Sequence, residues 1–147
     1  MQFTTKFTTV FAVVTAMVFQ VTANPAPVAS IVSTDEFLKW LETTDAEITY
    51  IGQPINGSVP RAAENIMVTY CNARTQNVCG GSCTVYNGGA ACLAAPDTTC
   101  LAATANVGFC DRGGCGGSCN QLSSCGTRLD NGFCFTPGTA SIIVPPS

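Results

Sequence analysis

Ten cysteines and no histidine in 147 residues constrain this chain more than any other feature. They are Cys71, Cys79, Cys83, Cys92, Cys100, Cys110, Cys115, Cys119, Cys125 and Cys134. An even count in an exported chain reads as a disulfide framework, here of five bridges with no free thiol. Spacing alone leaves the pairing open. From Cys71 onward Gly, Asn, Thr, Ser and Ala dominate, and large aliphatic residues are rare. Such a segment buries little apolar surface, so cross-links are expected to do what a core would. Short strands and tight turns are the expected form.

The spelling Cys-Gly-Gly-Ser-Cys occurs twice, at Cys79–Cys83 and Cys115–Cys119. Divided after Cys100, the cysteines form two groups of five that share the order Cys, gap, CGGSC, gap, Cys, gap, Cys. A second echo, "GFC" at Gly108–Cys110 and Gly132–Cys134, favours a frame that starts at CGGSC. Both frames predict two degenerate, tandemly repeated units. The glycines let the backbone turn tightly, so CGGSC is expected to be a corner whose two cysteines bond to different partners.

Other readings of the cysteines are weaker. Cys79, Cys83, Cys115 and Cys119 could make a four-sulfur metal site, but exported thiols are normally oxidised. A redox dithiol usually has two intervening residues at a helix start, and here there are three with no clear helix after them. No metal or cofactor is expected.

The export reading comes from the N-terminus. Met1–Lys6 is weakly cationic, Val10–Val18 is a short apolar run, and Val21–Ala23 has small residues where a signal peptidase cuts. Residues 1–23 therefore read as a signal peptide, too short to span a bilayer as a mature helix. No membrane association is expected after cleavage. The remainder carries five basic and nine acidic residues, a net charge of −4. It offers no basic surface for nucleic acid or anionic lipid. Nothing in the sequence marks an oligomer, and a monomer is expected.

Residues 24–32 ("NPAPVAS" and onward) read as a flexible leader. Residues 33–70 read as a helix plus strands. Ser33 and Glu36 have capping-box spacing, Asp35 lies in the first turn, and Phe37, Leu38, Trp40 and Leu41 share one face. This helix is too short to stand alone and should dock, covering Trp40. "AEITYIGQPI" and "ENIMVTYC" read as strands on either side of the Asn56-Gly57 turn. Asn56 also opens the sequon Asn56-Gly57-Ser58, a candidate glycosylation site. The ten-cysteine region is expected over 71–137, with "TRLDNGFCF" as a hairpin turning at Asp130-Asn131-Gly132. Residues 138–147 read as a C-terminal tail. The fold class is small, disulfide-rich and mainly β, with loops, tight turns and one short N-terminal helix.

Without histidine, Ser-His-Asp and Cys-His nucleophile arrangements are impossible. Asp97, Asp111 and Asp130 are the acids of the cysteine-rich part. Each has a turn setting that favours local backbone bonding over a catalytic dyad. No enzymatic activity is expected. "CGG…C…TTC…GFC" loosely resembles the small fungal cellulose-binding modules. The matching stretch offers only Tyr86 and Phe109 for stacking on sugar rings.

Taken together, "DEFLKWLETTDAEITYIG" and "CGGSC…CDRGGCGGSC…NGFC" resemble the small secreted cysteine-rich proteins of fungi, basidiomycetes in particular. The resemblance is one of type and carries over no functional residue. It implies a secreted, disulfide-stabilised, non-enzymatic protein that is effector-like, cell-wall-associated or developmental. Its partner would be an extracellular protein or glycan. A carbohydrate-binding module for chitin, cellulose or glucan is the alternative, and a protease inhibitor a weaker one.

Overall fold

A computed structural model describes residues 31–55 and 65–146. The signal peptide, most of the leader and the Asn56 sequon lie outside the described residues. The described chain forms one helix, α1 (Thr34–Thr43), and seven strands. These are β1 (Glu47–Gly52), β2 (Ile66–Thr75), β3 (Val78–Gly88), β4 (Ala91–Ala103), β5 (Gly108–Cys110), β6 (Cys119–Gln121) and β7 (Cys134–Val144). They make one sheet in the order β1-β3-β2-β4-β7-β5-β6. The pairing of β1 with β3 is parallel, and every other ladder is antiparallel.

The helix starts as its sequence predicts. The Ser33 side chain accepts from the Glu36 N–H, and the Glu36 carboxylate accepts from the Ser33 N–H. That reciprocal pair satisfies donors that have no partner within the helix. Phe37 and Trp40 are buried on the inner face. Phe37 packs with Val32, Met67 and Val85. Trp40 meets Phe133 with ring centroids 4.9 Å apart and planes tilted by 59°. The helix thus docks on both the strands and the cysteine-rich part.

The opposite face of the sheet folds over on itself. Tyr70 pairs with Leu101 across the β2–β4 ladder, yet its hydroxyl donates to the Ala94 carbonyl at 3.4 Å. Seven residues of flat strand would put Ala94 roughly 23 Å from Leu101. The strand therefore bends sharply between them. The bend is made by Ala95-Pro96-Asp97-Thr98, where the Thr98 hydroxyl donates to the Ala95 carbonyl at 2.9 Å and Asp97 has φ +58°. β7 bends at the matching place, Thr136-Pro137-Gly138-Thr139. There the Thr139 hydroxyl donates to the Thr136 carbonyl at 2.8 Å and Gly138 has φ +78°. Proline second and a left-handed residue third is the pattern a type II turn requires. Thr98 and Thr139 are cross-strand partners, so the two strands turn together.

Inside this fold lies an apolar cluster that includes Ile66, Val68, Leu93, Leu101, Val107, Leu122, Ile142 and Val144. Tyr70 sits at its edge, where burial pushes the phenol above the ordinary tyrosine range and a hydrogen bond with Thr84 acts the other way.

Three expectations change. The cysteine-rich region is not built of short strands alone, because β4 and β7 run 13 and 11 residues with their corners hidden in "APDT" and "TPGT". The segment read as a tail from residue 138 is the second half of β7, with Ile142 and Val144 buried. "SIIV" is too short to signal a strand by itself, and Pro137-Gly138 looks like an end when it is a bend. The last two leader residues are also placed: Ile31 bridges to Ala103, and the Val32 N–H donates to the Ala103 carbonyl at 2.9 Å.

Candidate functional site

The cysteines pair as Cys71–Cys83, Cys79–Cys100, Cys92–Cys115, Cys110–Cys119 and Cys125–Cys134, and none is free. The two cysteines of each CGGSC do bond to different partners, but the first CGGSC runs inside β3 and is not the expected corner. The four-sulfur site and the Cys-x3-Cys dithiol are thereby ruled out, since each of their sulfurs is bonded elsewhere. No group of metal-ligating side chains occurs among the described residues.

The two CGGSC stretches share a local device. In the first, Cys71 and Cys83 face each other across β2 and β3 and are bonded. Asn72, one residue on, accepts from the Ser82 N–H through Oδ1 at 2.9 Å. In the second, Cys110 and Cys119 face each other across β5 and β6 and are bonded. Asp111, one residue on, accepts from the Ser118 N–H through Oδ1 at 2.9 Å. The second glycine of each motif is left-handed, Gly81 at φ +83° and Gly117 at φ +78°. A Cβ on either would strike the side-chain oxygen of Asn72 or Asp111. We call each arrangement a clasp. Its parts line up when the units are counted from Cys71 and Cys110, the first of the two frames.

The clasps diverge where their spacing does. Seven residues separate Cys71 from Cys79, enough for a two-strand hairpin turning at Gln76-Asn77. Only four separate Cys110 from Cys115, so the chain makes a tight 3-10 turn at Gly113–Cys115. Both second cysteines are tethered to β4, Cys79 at Cys100 and Cys115 at Cys92. The first clasp lies in the cluster of Trp40, Leu129 and Phe133, with Cys71, Cys79, Cys83 and Cys100 all buried. In the second clasp Cys119 is exposed.

The three acids stand on three separate turns. Asp111 is engaged by its clasp, Asp97 forms the β4 corner, and Asp130 opens the 3-10 turn Asp130–Gly132. That last turn sits in the expected hairpin, where Arg128 bridges to Cys134 and the Leu129 N–H donates to the Phe133 carbonyl at 2.7 Å. Tyr86 and Phe109 form no flat row. Both pack against the inner apolar cluster, and the Tyr86 hydroxyl donates to the Gly89 carbonyl at 2.7 Å.

Two surface features went unread in the sequence. One is a depression of about 540 Å³ at the paired corners, lined by Asn72, Pro96, Asp97, Thr99 and Pro137 among others. Its signal was the pair of Pro-x-Thr corners, 41 residues apart. The other is the outer edge of β1. Among the described residues it has a ladder on one side only, and it exposes Tyr50 (59%) and Ile51 (38%). The alternation in "EITYIG" identifies a strand but not its place in the sheet.

No family model, no curated protein and no solved structure matches this chain.

Proposed function

We propose that the chain is an extracellular, non-enzymatic protein that acts by interaction or as a structural component. The observation that carries this reading is the pairing of all ten cysteines in a small β fold, a state that oxidising compartments maintain. The apolar run and small-residue site in residues 1–23 supply the export route, with cleavage after Ala23. The two clasps are read as copies of one duplicated unit. The origin proposed is fungal, and the setting is effector-like, wall-associated or developmental.

Expression in a secreting host tests the reading. The protein should appear in the medium with Asn24 at its N-terminus and a mass ten hydrogens below the reduced value. Retention in the cell, or two or more alkylatable thiols in the native protein, would contradict it.

A glycan-binding role is the second reading, and the corner depression favours it. There the apolar rings of Pro96 and Pro137 line the depression together with Asp97 and Thr99. Sugar sites combine apolar faces with a few placed polar groups. Saturable retention on chitin, cellulose or β-glucan, lost in Asp97→Ala, would favour this reading over the first.

A further inference from the structure

We propose that the open edge of β1 pairs with the same edge of a second copy of this chain. The pairing would join two sheets across a two-fold axis at Tyr50.

The argument starts from how the two ends of the sheet differ. Exposed edges are ready templates for pairing, and proteins usually guard them with short strands, bulges, lysines or prolines. The β6 end is guarded: the strand has three residues and is bonded to β5 through Cys110–Cys119. The β1 end is not. Glu47–Gly52 contains no lysine and no proline. Its register with β3 runs unbroken from Glu47↔Ser82 to Gly52↔Asn87, whereas the β2–β3 and β4–β7 ladders carry bulges. Its central residues, Ile48, Thr49, Tyr50 and Ile51, are strong strand formers.

The strand also complements itself. A closed pair of identical chains uses a two-fold axis, so the two edges run antiparallel. Outward-pointing backbone groups alternate along a strand, so residues facing each other must have the same parity. With the axis at Tyr50, Tyr50 meets Tyr50 of the second copy, Thr49 meets Ile51, and Ile48 meets Gly52. The one charge of the strand, Glu47, falls outside these pairs, because the backbone turns at Gly52 (φ +82°) where β1 ends. Aromatic pairs and β-branched pairs are the favourable cross-strand contacts, and like charges the unfavourable ones. With the axis at Thr49, Glu47 would face Ile51, and the aromatic pair would be lost. The self-complementary register selects a second copy over an unrelated peptide, and it revises the monomer expected from the sequence.

One strand pair buries less than the roughly 1,200 Å² of a stable interface. The dimer is therefore weak and concentration-dependent. The inference does not rest on secretion, only on the oxidised fold.

Sedimentation equilibrium on the oxidised protein with its native N-terminus tests it. The weight-average mass should rise from one chain toward two as concentration increases to about 0.5 mM. Tyr50→Lys places two ammonium groups at the axis and should hold the mass at one chain over the same range. Val78→Lys removes another exposed apolar side chain, 54% exposed but outside β1, and should leave the dimer intact. Intact mass and near-UV circular dichroism check that both variants keep the oxidised fold. A wild-type protein that stays at one chain would overturn the proposal. So would a dimer that Tyr50→Lys leaves unchanged, equal loss in Val78→Lys, or growth past two chains.

Discussion

The two clasps use the same parts and differ in what covers them. Each has a cross-strand disulfide, an Asx oxygen on the serine N–H and a left-handed glycine. The first lies in the cluster of Trp40, Leu129 and Phe133. The second buries Cys110 but leaves Cys119 exposed and Cys115 half-buried, while the Asx and left-handed glycine positions are exposed in both. The comparison separates two sources of stability that usually come mixed. A disulfide restrains the unfolded chain wherever it sits, while packing acts only where side chains are buried. The first clasp has both at every cysteine, whereas the second has burial only at Cys110 and relies more on its cross-links.

The largest effect should come from deleting whole bridges. Cys79–Cys100 and Cys92–Cys115 span 21 and 23 residues, so their loop-closure contributions are nearly equal, about 3 kcal/mol each. Cys79 and Cys100 are buried, whereas Cys92 is exposed. Replacing Cys79 and Cys100 by alanine should cost about 1–2 kcal/mol more than replacing Cys92 and Cys115, because it also opens a cavity. Denaturant unfolding of the two double variants measures the difference. Equal losses would mean that burial adds nothing to the first clasp.

Trp40→Ala sharpens the same contrast from the helix side. It should cost about 3–5 kcal/mol in denaturant unfolding, since the ring is buried against Phe133. It should also speed reduction of Cys71–Cys83 and Cys79–Cys100 while leaving Cys110–Cys119 unchanged. Acceleration at all three bridges would mean that the helix braces the whole sheet and not one clasp.

The glycines give the smallest effect. Gly81→Ala and Gly117→Ala each force a side chain into a left-handed backbone, at about 1–2 kcal/mol. The new methyl at Gly81 would also meet the Cβ of Ala73, which has no freedom to move aside. At Gly117 it would meet the Asp111 carboxylate and the flexible Arg112 side chain. Thermal melts should therefore show the larger loss for Gly81→Ala.

Local chemistry was legible in the sequence, and long-range geometry was not. Ser33 and Glu36 announced the helix start because a capping box needs only four residues. The spacing of Phe37, Trp40 and Leu41 marked the docking face for the same reason. "LDNG" marked its turn. The pairing of ten cysteines depends on which strands become neighbours, and no local pattern records that β3 lies between β1 and β2. The clasp had a readable signal, an Asx residue directly after Cys71 and Cys110. Its meaning emerged only with the Ser82 and Ser118 N–H groups in place. The inner cluster was underestimated because its Ile, Val and Leu residues stand mostly singly, scattered among Gly, Asn, Thr and Ala along the chain. The bends at Pro96 and Pro137 mimic strand ends, which is why β7 was cut short at residue 138.

Stepwise reduction with a mass readout tests the central claim most directly. The native protein would be treated with a graded phosphine reductant, trapped by alkylation and mapped bridge by bridge. Cys92–Cys115 and Cys110–Cys119 should be labelled first, while the sheet keeps its circular dichroism. Cys71–Cys83 and Cys79–Cys100 should resist until the fold itself is lost. Labelling of Cys79 and Cys100 as early as Cys119, with the sheet still folded, would contradict the account.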